Sequence, residues 1–190
     1  MISRRQSLRH IAVVGVGSST VWHASAFATS FLDIEQAQKL LLPQASVFAA
    51  MALTLDAARL SELASASQTQ VPRGYAPQCW VGASDTRLQG WVLADRVIGK
   101  YELIDYAAGF APDGAMTGLE IMAYRESHGA EIRNPAWRKQ FFGKRGTGQI
   151  RVGDDIRNIS GATLSCQHVT QGAQRLSAIV QMLRQSASGS

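Results

Sequence analysis

The stretch from Asp154 to Ser165 gathers the residues whose types and spacing suit chemistry, and Ser160-Gly161-Ala162-Thr163 lies at its centre. Gly161 and Ala162 are too small to shield the backbone, so a ligand can approach it closely. Thr163 offers a hydroxyl just ahead of an expected helix. The free N–H groups of a helix start, and its positive dipole end, favour an anion, typically a phosphate. A hydroxyl beside such a site points to phosphate binding, or to a phosphate ester made on the threonine itself. A helix cap is the alternative role for Thr163.

The elements that must position this stretch can be read in order. Asp33-Ile34-Glu35-Gln36 has the form of a capping box, opening a helix through Ala37, Leu40, Leu41 and Leu42 that Pro43 ends. An extended piece follows near Val47-Phe48. Thr54 is the expected cap of a second helix, with Asp56 in its first turn and Ala57, Leu60, Leu63 and Ala64 in period. The polar run 65–77 reads as a loop. Strands are expected over 79–83, 90–94, 102–110 and 117–124. Ser84-Asp85-Thr86 and Pro112-Asp113-Gly114 supply turns. In the last strand Leu119, Ile121 and Ala123 alternate with Glu120, Met122 and Tyr124. Asn134-Pro135 opens a short helix that Gly143 closes. The final helix is expected over about 165–185. Val169, Ala173, Leu176, Ile179, Val180 and Leu183 form its apolar face; Gln167, His168, Gln171, Gln174, Arg175 and Gln181 form its polar one. The pattern is α+β: a small antiparallel sheet of about four or more strands packed with helices.

At 190 residues, 46 % hydrophobic and 17 % charged, the chain suits one ordinary domain. Its net charge is +5, and Arg4, Arg5 and Arg9 carry three of those charges. The remainder is nearly neutral, which argues against nucleic acid as a partner. Residues 1–28 read as an export signal: a basic start, a modest apolar run from Ile11 to Val21, and small residues around Ala24-Ser25-Ala26 and Ala26-Phe27-Ala28. Ser3-Arg4-Arg5-Gln6-Ser7-Leu8 is similar to a twin-arginine signal, with Ser7 where a phenylalanine is usual. The expected mature domain is 29–186, followed by a disordered tail, and its expected place is the periplasm.

Ser160-Gly161-Ala162-Thr163 resembles the attachment motif of the FMN-binding domain family. Its members include subunits of the sodium-translocating NADH:quinone reductase and of the Rnf electron-transport complex, and small exported bacterial flavoproteins. Three further segments carry the resemblance, which covers about residues 88–184. Tyr124 to Ile132 is similar to the family segment beside the flavin, with His128 where a proline is usual. Phe141-Phe142-Gly143-Lys144 is similar to the end of its short helix. Asp155, Ile156, Ile159 and onward match the small members' pattern, although Arg157 stands where many members carry an acidic residue; Asp155 is the expected substitute.

The resemblance implies FMN as cofactor, joined through its phosphate to Thr163, with Ser160, Gly161, Ala162, Leu164, Ser165 and Asp155 around the attachment. Glu126, Ser127, His128 and Glu131 would lie at the flavin's edge, unless they are ordinary solvated loop residues. It implies a flavin transferase as modifying partner and a membrane-bound electron donor, with the chain a redox carrier rather than an enzyme acting on its own substrate. The alternative is a sensor or accessory subunit that holds flavin loosely or not at all. Lys144 and Arg151 are expected as ordinary solvated charges, with steadying a phosphate as their alternative role, and Trp137 is expected in the core rather than on the flavin. Cys79 and Cys166 are expected as separate buried thiols, with a disulfide between them as the alternative an oxidising compartment allows, and the cysteines and histidines give no metal spacing. His168 near Ser165 raises a hydrolase reading, but no Gly-x-Ser-x-Gly accompanies it.

Overall fold

The computed structural model describes residues 29–188. The export-signal reading of residues 1–28 lies outside them. Six strands form one antiparallel sheet: β1 (Thr29–Ser30), β2 (Val47–Met51), β3 (Gln78–Ser84), β4 (Arg87–Ile98), β5 (Leu103–Phe110) and β6 (Met116–Tyr124). Their order is β1-β6-β5-β4-β3-β2, so β2 to β6 form a meander and β1 closes the edge beside β6. Four α-helices accompany the sheet among the described residues: α1 (Ile34–Leu41), α2 (Ala57–Ser67), α3 (Pro135–Arg138) and α4 (Thr163–Ser188). The fold is α+β.

Local chemistry explains most of the boundaries. Asp33 accepts from the Gln36 N–H, and Gln36 returns the bond to the Asp33 N–H, so the capping box of α1 forms as expected. The cap of α2 is Asp56 rather than Thr54: the Asp56 carboxylate accepts from the Arg59 N–H at 2.9 Å. That helix also runs to Ser67, three residues into the expected loop. The twelve-residue β4 is longer than the 90–94 segment expected, and β1 was not expected. Asn134 caps α3 with Pro135 at its first position, as expected.

The helices cover both faces of the sheet. One face packs against α2 and α4 through Leu93, Tyr106, Phe110 and Leu119 of the strands and Val169, Ala173, Leu176 and Val180 of α4. The other packs against α1 in a smaller cluster of Ala37, Leu41, Leu42, Val92 and Ala107. The apolar face of α4 is as expected, but Arg175 is buried rather than on a solvated face, because the chain around Tyr75 packs over that side. Its Nη2 lies 3.9 Å from Asp95 Oδ2. Tyr106 and Tyr75 donate their hydroxyls to the same Asp95 oxygen, at 2.8 and 3.1 Å. Burial pushes the Asp95 carboxyl above its ordinary range, against the pull of these partners. At its other end α4 continues to Ser188, into the stretch expected as a tail.

A register change in β6 sets up the functional end of the molecule. Tyr106 of β5 pairs with Ile121 and Asp105 with Ala123, so Met122 is an extra residue, a β-bulge. Strict alternation would put Tyr124 with Glu120 and Met122, away from Ile121. After the bulge Tyr124 pairs with Ile104 and joins the main core, and Ala123 turns to the opposite face. The expected alternation therefore holds for Leu119 and Ile121 and fails at Ala123 and Tyr124.

Candidate functional site

Three pieces of backbone converge at the end of β6 and enclose a groove of about 900 Å³. The first wall is the start of α4, the second is the loop after β6, and the third is the tip of the β4–β5 hairpin. Gly161, Ala162, Thr163, Leu164 and Ser165 line the first, and Glu126, Ser127, His128 and Glu131 the second. These are residues the sequence pointed to. Ser160 and Asp155 do not line the groove. Asp155 accepts from the Arg151 N–H at 3.1 Å and lies 3.9 Å from Lys144 Nζ. It braces the loop ahead of the motif, and Arg151 and Lys144 pair with it rather than reach toward Thr163.

The helix start has the features of an anion site. The first intrahelical bond runs from the Cys166 N–H to the Ala162 carbonyl, at 2.9 Å. The N–H groups of Thr163, Leu164 and Ser165 have no hydrogen-bond partner among the described residues. Thr163 is exposed, and its Oγ1 accepts from Asn158 Nδ2 at 3.2 Å. The hydroxyl is thus held at the mouth of the helix.

Tyr124 joins the first two walls. Its hydroxyl donates to the His128 carbonyl and lies 3.3 Å from Ser165 Oγ. Burial, together with the charges of Glu126 and Glu131, keeps the phenol protonated above its usual range, outweighing the Ser165 bond. The loop passes close above it at Gly129, whose φ is +84°. A Cβ there would sit 2.7 Å from the Tyr124 hydroxyl and 3.1 Å from Ala162 Cβ, so only glycine fits.

The third wall was missed in the sequence. Lys100 and Tyr101 line the groove from the β4–β5 turn, and Gly129 and Ala130 complete the loop wall. Glu126 Oε1 accepts from the Tyr101 N–H at 2.6 Å and the Glu102 N–H at 3.0 Å. Burial alone would raise the Glu126 carboxyl. These N–H groups and the nearby Lys100 charge outweigh that and hold it below its ordinary value. The available signal was a lone aromatic, Tyr101, in a polar turn; only the folded sheet brings that turn beside Thr163.

Other candidates resolve plainly. Trp137 is buried, packs edge-to-face on Phe141 at 5.2 Å, and donates to the Arg157 carbonyl at 2.8 Å, a core role as expected. Cys79 and Cys166 are separate buried thiols; burial pushes Cys79 up to about 12 and raises Cys166 as well. His168 Nδ1 faces the Ile98 and Gly99 carbonyls while Ser165 faces Tyr124, so the two do not form a nucleophile–base pair. A smaller cavity of about 490 Å³ lies over the far face of β4 and β5. Arg96 and Arg125 there both pair with Asp105. Among the described residues no group of His, Cys, Asp and Glu is arranged to hold a metal ion, and no helix is long and apolar enough to cross a membrane.

Residues 99–178 match the family model of the FMN-binding domain. That span begins at the hairpin tip and ends within α4, so it contains all three walls of the groove. FMN is the cofactor the domain indicates. No curated protein matches the chain. The groove fits this ligand by its own chemistry. The open N–H groups and Thr163 hydroxyl suit a phosphate, the small residues at 161 and 162 allow close approach, and Tyr101 and the loop groups suit a flat ring with polar edges.

Proposed function

We propose that the chain is an exported electron-transfer flavoprotein that carries FMN as a phosphoester on Thr163. The observation behind this reading is the exposed Thr163 hydroxyl at the open first turn of α4, on the wall of the groove within the FMN-binding domain. Esterifying free FMN would release water and run uphill. A flavin nucleotide with a pyrophosphate supplies a better leaving group. A separate flavin transferase would join Thr163 Oγ to the flavin-side phosphorus, break the pyrophosphate P–O bond, release the nucleotide and take up the hydroxyl proton. When bound, FMN supplies the redox chemistry. Asn158 orients the acceptor oxygen, and the α4 N–H groups neutralise the phosphate.

Residues 1–28 support export to the periplasm, where a covalent tether prevents loss of a cofactor that is hard to replace. A membrane-bound donor would then reduce the carrier. Made with a flavin transferase, the processed chain should gain the mass of FMN less one water and keep yellow fluorescence after denaturation. Thr163→Ala should remove both. Arg157, exposed in the motif, favours one rival: if the transferase requires an acid there, FMN binds without an ester. Colour that leaves on denaturation would select that rival.

A further inference from the structure

We propose that the β4–β5 hairpin tip is the cover of the flavin site: Tyr101 lies against the flavin ring, and Glu126 is a positioning residue that holds Tyr101 there. The proposal rests on FMN occupying the groove, and not on the ester to Thr163.

The tip of a hairpin is ordinarily its least constrained part. Here it is fastened from both of the other walls. From the loop wall, one carboxylate oxygen of Glu126 receives the N–H groups of Tyr101 and Glu102, at 2.6 and 3.0 Å. From the helix wall, His168 Nδ1 lies 2.6 Å from the Ile98 carbonyl and 3.1 Å from that of Gly99. Both neighbours are acceptors, so Nδ1 carries the proton and donates. Gly99 makes room for the carboxylate: a Cβ there would come within 2.5 Å of Glu126 Oε1.

These fastenings do not serve the core. Tyr101 is 76 % exposed and Ile98 58 %. Charge-assisted bonds therefore fix a large aromatic that touches little protein and stands on the wall of the groove. A flat ring in the groove is the partner that makes sense of it, since offset or edge-on aromatic contact is favourable and buries both surfaces. Lys100 Nζ, 4.8 Å from the centre of the Tyr101 ring, places a cation on the same wall, where it would stabilise negative charge gained on reduction.

Two measurements test this, one without flavin. In the flavin-free chain, amide exchange is followed at Tyr101 and Glu102. Glu126→Ala should cut their protection about tenfold, with Glu126→Gln in between and the β5 and β6 amides unchanged. In protein carrying flavin, fluorescence per flavin is measured at matched flavin content. Tyr101→Ala should raise it severalfold through loss of ring-to-ring quenching, Tyr101→Phe should leave it low, and Glu126→Ala should raise it too. Unchanged fluorescence in Tyr101→Ala, or unchanged exchange in Glu126→Ala, overturns the proposal. If the mass shows no ester on Thr163, the fluorescence comparison is made with a fixed small amount of FMN held bound by saturating protein. That result removes the tether and leaves the cover to be judged on the same readings.

Discussion

Thr163 and Gly129 mark two kinds of dependence on a single residue. Thr163 is exposed, so replacing it should change the chemistry and leave the fold nearly untouched, within about 0.5 kcal/mol. Gly129 is the reverse case. Gly129→Ala puts a side chain at φ +84° and drives it into Tyr124 and Ala162, so a loss of about 1–3 kcal/mol is expected in denaturant unfolding, with reduced flavin retention. Most residues on the loop and helix walls were legible, because the motif and the segment after β6 each carry a local pattern. Asp155 lies off the groove, because a carboxylate near a motif in sequence can turn to other cations, as it does to Arg151 and Lys144. Tyr101 and Lys100 were not legible. Their relation to Thr163 arises from a strand pairing, and no short stretch encodes it.

At the scale of elements, the hairpin tip should loosen in acid. Glu126 is held below its ordinary value of 4.5, so its carboxylate strengthens the folded state at neutral pH. That contribution is complete above the ordinary value and is lost as pH falls through the lower folded one. Amide protection factors at Tyr101 and Glu102, corrected for intrinsic exchange, should hold from neutral pH to about 5 and then decline, while those of β5 persist. Helices α1 and α4 and the start of α3 were readable because caps and apolar periods are local, whereas α3 gives way to a 3-10 turn after Arg138, short of the expected close at Gly143. The reading of α4 failed at Arg175, since an amphipathic pattern assumes one buried face and this helix has cover on a second. The end of α2 and the length of β4 were underestimated where polar residues continue a regular element.

For the whole molecule, the buried Arg175–Asp95 pair links α4 to the sheet. Removing the guanidinium strands a carboxylate in the core, so Arg175→Ala should cost about 3 kcal/mol at neutral pH by denaturant unfolding. Burial already raises the Asp95 carboxyl. The variant should therefore regain part of its stability as pH falls toward the ordinary carboxylate range, where Asp95 takes up a proton. The broad architecture was legible because a meander and flanking helices follow from short-range signals. The extra residue at Met122 was not, because alternation carries no mark of where it is interrupted. It has a consequence for how the protein can vary. Everything that builds the second and first walls hangs from the strand after that interruption. Exchanging Met122 for another side chain alters packing near α1, whereas deleting it would turn Tyr124 to the far side of the sheet and take the following loop with it. At this position the number of links in the chain matters more than what any one of them carries, so lineages of this protein should tolerate substitution there far more readily than a change in length.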